Sequence, residues 1–194
     1  MKQAKHPKTS YFISSNLFEN LNSFQELETR IQKLTTSQEK GDAFEVFAQA
    51  YLVTQKLHSV RHLWTHHHIP LSIREKLHLP IKEMGVDGVF EDIKGNLITY
   101  QVKFRSDKQS LSWNELSTFM GLSDFADQRL LITNTDSVTG VMPERKNYSS
   151  VLGHRLDQLE ARDFENILQW LQDEQFEPQL FIPRPYQQEA VDKI

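Results

Sequence analysis

Apolar residues recur every three or four positions at Leu17, Leu21, Phe24, Leu27, Ile31 and Leu34, the spacing that lines one face of a helix over residues 17–34. A second helix is predicted from Ser37 to Leu57, with Phe44, Phe47, Ala48 and Tyr51 on one face and Glu45 at its border. Val60 to Trp64 reads as a short strand, followed by a histidine-rich link and a short segment between Pro70 and Pro80. Residues 85–91 and 97–105 then read as two strands rich in Val, Phe, Ile and Tyr, joined through the turn residues of Asp-Ile-Lys-Gly-Asn. Ser112 with Glu115 three residues later is a capping-box pattern that opens a helix through Gly121. Residues 129–133 read as a buried strand, Thr135 to Ser150 as mostly loop, and Phe164 to Leu171 as a terminal amphipathic helix. Strands interleaved with helices imply an α/β fold, with α+β as the neighbouring class.

The hairpin carries polar groups that periodicity alone does not explain. In its second strand Ile98, Tyr100, Val102 and Phe104 alternate with Thr99, Gln101, Lys103 and Arg105, so Gln101 and Lys103 share a face. A turn centred near Lys94 or Gly95 sets Asp87 opposite Gln101 to Lys103. Alternation by itself describes the solvated face of an amphipathic hairpin. Asp87 is harder to place on that basis, because it sits between Val86 and Gly88 and aspartate is a poor strand former. The Asp87 carboxylate, the Gln101 amide and a main-chain carbonyl such as that of Val102 are hard oxygen donors suited to Mg2+. Lys103 beside them suits the positioning or deprotonation of a water attacking a phosphodiester, or the offsetting of charge in its transition state.

Composition narrows the setting. The 194 residues suffice for one sizeable core, and 38% hydrophobic with 25% charged residues is the balance of a globular protein. The absence of cysteine excludes disulfides and thiolate metal sites. No apolar run approaches the roughly 20 residues of a membrane span, and the N-terminus lacks a signal-peptide core, so a cytoplasmic location is expected. A net charge of −4 is unlike that of a tight autonomous DNA binder, although Lys103, Arg105 and Lys108 gather in one place and Arg145 and Lys146 in another. Arg105 and Lys108 are the candidate DNA contacts, and the loop bearing Arg145 and Lys146 is placed near DNA for the same reason. His58, His62, His66, His67, His68 and His78 lack the motif of a zinc site and read as solvated loop and rim residues. Trp64, Trp113 and Trp170 read as core.

Gly-Val-Asp-Gly around Asp87, followed by Gln-Val-Lys at residues 101–103 and preceded by the helix Gly-Asp-Ala-Phe-Glu-Val-Phe-Ala-Gln-Ala-Tyr-Leu, resembles the PD-(D/E)xK nuclease superfamily in its Mrr-like branch over residues 37–133. The resemblance implies a restriction-endonuclease-like mixed central sheet flanked by helices, double-stranded DNA as substrate and Mg2+ as cofactor. It makes Asp87 the metal-binding aspartate, Lys103 the catalytic lysine, and Glu45 the helix glutamate that helps hold a metal-bound water. Gln101 takes the second acidic position, where its neutral amide offers the metal less charge than the commoner Glu or Asp; Gln-x-Lys variants are familiar in Mrr-like enzymes. A reading from another class is a noncatalytic DNA-binding or docking module that keeps only the nuclease fold.

Pro-Arg-Pro-Tyr-Gln-Gln-Glu-Ala-Val near the end of the chain resembles the segment before the ATP-binding loop of superfamily 2 helicases and translocases. There Tyr186 and Gln187 or Gln188 match the aromatic and glutamine that contact adenine. No phosphate-binding GxxxxGK[ST] motif occurs, so ATP would enter only through a motor domain beyond these residues. Nuclease followed by helicase is the layout of Type ISP restriction-modification enzymes, which implies methyltransferase and target-recognition domains further along the same polypeptide. The expected division is an N-terminal helical lead-in at 1–36, a nuclease domain at 37–173, and a linker with the start of a motor at 174–194. The first fifteen residues are expected to be loosely packed.

Overall fold

The computed structural model describes residues 4–174. Tyr186, Gln187 and Gln188, and the linker expected around them, lie outside the described residues.

Strands β1 (Val60–Thr65), β2 (Gly88–Asp92), β3 (Leu97–Lys103), β4 (Gln128–Thr133) and β5 (Tyr148–Val151) form one mixed sheet in that spatial order. The connections set the directions. Between β2 and β3 the chain turns within a few residues, where Gly95 has a φ of 85° and the Asp92 carboxylate accepts from the Lys94 and Asn96 amides, so the pair is antiparallel. Between β3 and β4 the chain crosses through helix α5 (Trp113–Leu122), and that pair is parallel. The Ser112 and Glu115 capping box starts α5 as expected.

Helix α3 (Ser37–Thr54), started by a Thr36 and Glu39 capping box, covers one sheet face with α1 (Thr9–Ser14), α2 (Phe24–Gln32) and α7 (Ala161–Leu171). Phe12, Phe24, Phe44, Phe47 and Phe164 fill that core against Ile98, Tyr100 and Ile132. The other face is closed by Leu116, Phe119 and Met120 of α5, with Leu77 just past α4 (Leu71–Lys76), against Val89, Leu97 and Leu131. A four-residue helix, α6 (Gly153–Leu156), connects β5 to the approach to α7.

Several expectations are corrected. The Thr99 and Gln101 face of the hairpin is not solvated: these side chains are 0% and 2% exposed beneath the α5 layer. The helix over 17–34 is interrupted, because Asn16 and Asn20 adopt left-handed φ values and α2 starts only where the Ser23 side chain caps the Glu26 amide. Leu17 and Leu21 are still buried, so the apolar stripe survives the break in the helix. The lead-in is packed, with Phe12 1% exposed in the first core. The Thr135 to Ser150 loop gives way to an edge strand from Tyr148, paired with β4.

Gly88 is required by close approach. A Cβ there would collide with the Trp64 carbonyl and the Tyr100 ring, which converge where β1, β2 and β3 meet. Gly88→Ala is expected to cost about 1–3 kcal/mol, the range for overpacking a core. Urea unfolding checks this, and a wild-type midpoint in the variant would refute it.

Candidate active site

The site forms where β2 leaves β3. One step before the Gly88–Tyr100 pair, Asp87 still donates its amide to the Tyr100 carbonyl at 3.0 Å, and its own carbonyl accepts from the His66 amide at 2.8 Å. The next β3 amide on that side, Val102 N–H, meets the Asp87 Oδ2 at 2.6 Å instead of a backbone oxygen. The carboxylate therefore stands in the notch at the end of the ladder, held by the strand it has parted from. In an extended strand the N–H and C=O of one residue point to the same neighbour, so the Val102 carbonyl is directed to this notch as well.

Gln101 lies between Tyr100 and Val102, the two residues of β3 that bond Asp87. Its Oε1 is buried with no hydrogen-bond partner, a condition that costs free energy unless something outside the protein occupies it. Lys103 ends β3 two residues further along the Gln101 face, half-buried and in no ion pair among the described residues. Glu45, on α3, is near enough for its charge to act on Asp87.

Asp87 keeps a solvent-accessible edge, yet protein surrounds the rest of it. Lost hydration first, and the Glu45 carboxylate second, push its pKa up to about 8. The Val102 hydrogen bond and the Lys103 charge pull the other way, while Glu83 adds to the repulsion. Converging carboxylates, an orphaned amide oxygen and a strand-end carbonyl fit a divalent cation. Among the described residues no three His, Cys, Asp or Glu side chains form a ready-made cage. A set of one or two carboxylates with neutral oxygens suits Mg2+, which keeps several of its waters.

The candidate DNA contacts are occupied in this structure. Arg105 is paired with Glu115, and Lys108 Nζ lies 2.8 Å from Glu28 Oε2. Buried Asn134 ties this loop down: Oδ1 accepts from the Arg105 amide, and Nδ2 donates to the Arg105 carbonyl and to Glu28 Oε1. Arg145 lies over the Trp113 ring at 4.8 Å. All three tryptophans pack against a core, Trp170 the most buried.

Two histidines are not rim residues. His66 is 2% exposed, with Nδ1 at 2.9 Å from the Val86 carbonyl and Nε2 at 3.0 Å from that of Ile81. Buried Arg74 donates to the His66 and Pro80 carbonyls, and together they fix the loop that delivers Asp87. His58 is enclosed beside Tyr51 and Phe90, where burial, then the Arg155 charge, lowers its pKa to about 4. Glu83, His66, Gln49 and His6 were not selected from the sequence. A loop histidine offers no periodic signal, and its two carbonyl partners are invisible before folding.

A family model described as "Restriction endonuclease" (Mrr_cat_2) matches residues 52–172. Among solved structures, the ATP-dependent Type ISP restriction-modification enzyme LlaBIII bound to DNA is similar, with a TM-score of 0.56 and 19% identity over 89% of this chain. The chain spans 11% of the length of that enzyme. At this identity the likeness is one of fold, a mixed five-stranded sheet with flanking helices of the restriction-endonuclease type. No curated protein sequence matches the chain.

Proposed function

The chain belongs to the restriction endonuclease family matched over residues 52–172, and from that premise we propose that its notch hydrolyses DNA phosphodiester bonds with Mg2+. The observation that carries this reading is the Asp87 carboxylate held by Val102 N–H at the end of the β2–β3 ladder, with Gln101, whose Oε1 is buried and partnerless, and Lys103 flanking Val102 on the same strand.

Asp87, Gln101 and Val102 would hold the cation, with Glu45 acting through water. When bound, the cation supplies positive charge that polarises the scissile phosphate and favours ionisation of the attacking water. Lys103, carried on the same strand as Gln101, orients that water or takes its proton, and its ammonium offsets charge gathering on the phosphate oxygens. Val102 N–H holds Asp87 in one orientation, so the metal-binding oxygens are arranged before the substrate arrives. The neutral Gln101 leaves the site one negative charge short of an acidic version, and Glu45 partly compensates.

We further propose that an ATP-dependent motor in the same polypeptide brings this nuclease to double-stranded DNA, as part of restriction. Two features support delivery over autonomous binding. The chain carries a net charge of −4, and Arg105 and Lys108 are already neutralised by carboxylates. Phosphates would have to displace Glu115 and Glu28 to use them.

Supercoiled plasmid incubated with the chain at high protein concentration should be nicked or linearised in Mg2+. EDTA should abolish the cutting, and excess Mg2+ should restore it. Cutting that persists in EDTA would overturn the metal-dependent reading. DNA retention without cutting in any divalent metal would favour the noncatalytic module.

A further inference from the structure

The N-terminal segment carries a residue into the site that neither the family match, which begins at residue 52, nor the motif accounts for. Lys5 anchors the segment, its Nζ 2.8 Å from the Leu171 carbonyl at the end of α7 and over the Trp170 ring. One residue on, the His6 amide donates to Gln49 Oε1 at 2.9 Å, and the His6 Nε2 lies 3.4 Å from Glu45 Oε2. Glu45 and Gln49 are four residues apart on α3 and share a face, so His6 spans the pair through its backbone and its ring. Gln49 in turn lies near the side chain of Tyr100, the residue whose carbonyl accepts the Asp87 amide.

The ring's tautomer is set by its other nitrogen. The Lys8 amide donates to His6 Nδ1 at 3.2 Å, which makes Nδ1 the acceptor and leaves the proton of the neutral ring on Nε2, facing Glu45. The His6 side chain is 13% exposed and that of Glu45 26%, so the contact is partly shielded from water. A glutamate side chain otherwise has several rotamers open to it, most of which would turn its carboxylate away from the notch.

We infer that His6 is a positioning residue of the active site, whose Nε2–H fixes the Glu45 carboxylate where it can support the cation. The inference rests on the metal-site reading proposed above. It predicts an effect on metal binding from a residue that acts through Glu45. Partners that orient a ligand of a metal site typically change affinity about 10–100-fold when removed. Glu45 acts through water, so the lower end applies.

The test is titration of the full chain with Mg2+ and separately with Mn2+, read by calorimetry, for wild type, His6→Ala, His6→Gln, Glu45→Gln and Asp87→Asn. His6→Ala is expected to weaken binding about tenfold, approaching Glu45→Gln. His6→Gln, whose amide N–H can take the place of Nε2–H, should recover most of the loss. A thermal midpoint measured without metal shows that each variant is folded, and a purely packing role would move that midpoint and leave the affinity unchanged. If Glu45→Gln and Asp87→Asn weaken binding but His6→Ala binds as wild type, the His6 assignment alone is overturned. If Glu45→Gln and Asp87→Asn also bind as wild type, the metal-site reading falls and takes this inference with it.

Discussion

Lys103→Ala is expected to lower metal-dependent DNA cleavage about a thousandfold, within the range for losing a positioned acid, base or charge in a transition state. Mg2+ binding should stay near the wild-type value. The asymmetry follows from the chemistry of the side chain: an ammonium has no lone pair to offer a cation, so its loss leaves the oxygen donors intact. In the structure Lys103 ends β3 beside Gln101 with no carboxylate bound to it among the described residues, so its amine is available to substrate. Asp87→Asn should lose cutting and metal affinity together. Lys103→Arg separates the two roles proposed for lysine. Arginine keeps the charge but cannot act as a base near neutral pH, so partial recovery would indicate charge stabilisation and none would indicate proton transfer. Undiminished cutting by both Lys103→Ala and Asp87→Asn would sink the assignment of this notch as the catalytic centre.

Why the hairpin that carries Asp87, Gln101 and Lys103 was legible from sequence, and its surroundings were not, comes down to range. The β2–β3 register depends on a turn of a few residues, and Asp92, Gly95 and Asn96 specify that turn through contacts within it. Counting outward from it sets Asp87 against residues 101–103, and in the structure the Asp87 carboxylate meets Val102 N–H just past the last ladder pair, Gly88 with Tyr100. The capping box at Ser112 is similarly local, and α5 starts there. The covering of the Thr99 and Gln101 face is not local. Alternation is identical whether water or a crossover helix lies above a strand, and here Phe119 and Leu116 of α5 lie above it. The docking of the N-terminal segment fails to show for a related reason. Lys5, His6 and Lys8 form a polar run with no period, and their partners at Trp170, Leu171, Glu45 and Gln49 are distant in sequence. Asn16 and Asn20 show a third limit, since an apolar stripe can continue through residues whose backbone has left the helix.

Asp87 gives the chain a dependence of stability on pH that metal should reverse. Burial and the Glu45 carboxylate raise its pKa in the folded state from 3.8 to about 8. A raised carboxyl pKa means the folded state holds the proton more tightly than the unfolded chain does. Between the two values the folded protein has more protons bound, so the stability of the metal-free protein falls as pH rises through that window. Below pH 4 both states are protonated and the group contributes no slope; above pH 8 both are ionised and the loss is complete. Its size is on the order of a few kcal/mol. Asp87→Asn removes the titration while retaining an oxygen for the Val102 amide, so its stability should exceed that of wild type increasingly from pH 4 to pH 8 in EDTA. Subtracting the two urea-unfolding curves cancels the carboxylates and histidines they share. Mg2+ needs the ionised form and displaces the proton, so adding it should restore wild-type stability most strongly at the alkaline end. It should do little for the asparagine variant. A wild-type minus Asp87→Asn difference that is constant across this window would show that the Asp87 carboxyl is not raised. In that case neither burial nor the Glu45 charge would be acting on the Asp87 carboxyl, and the proposed cation site would lose that electrostatic support.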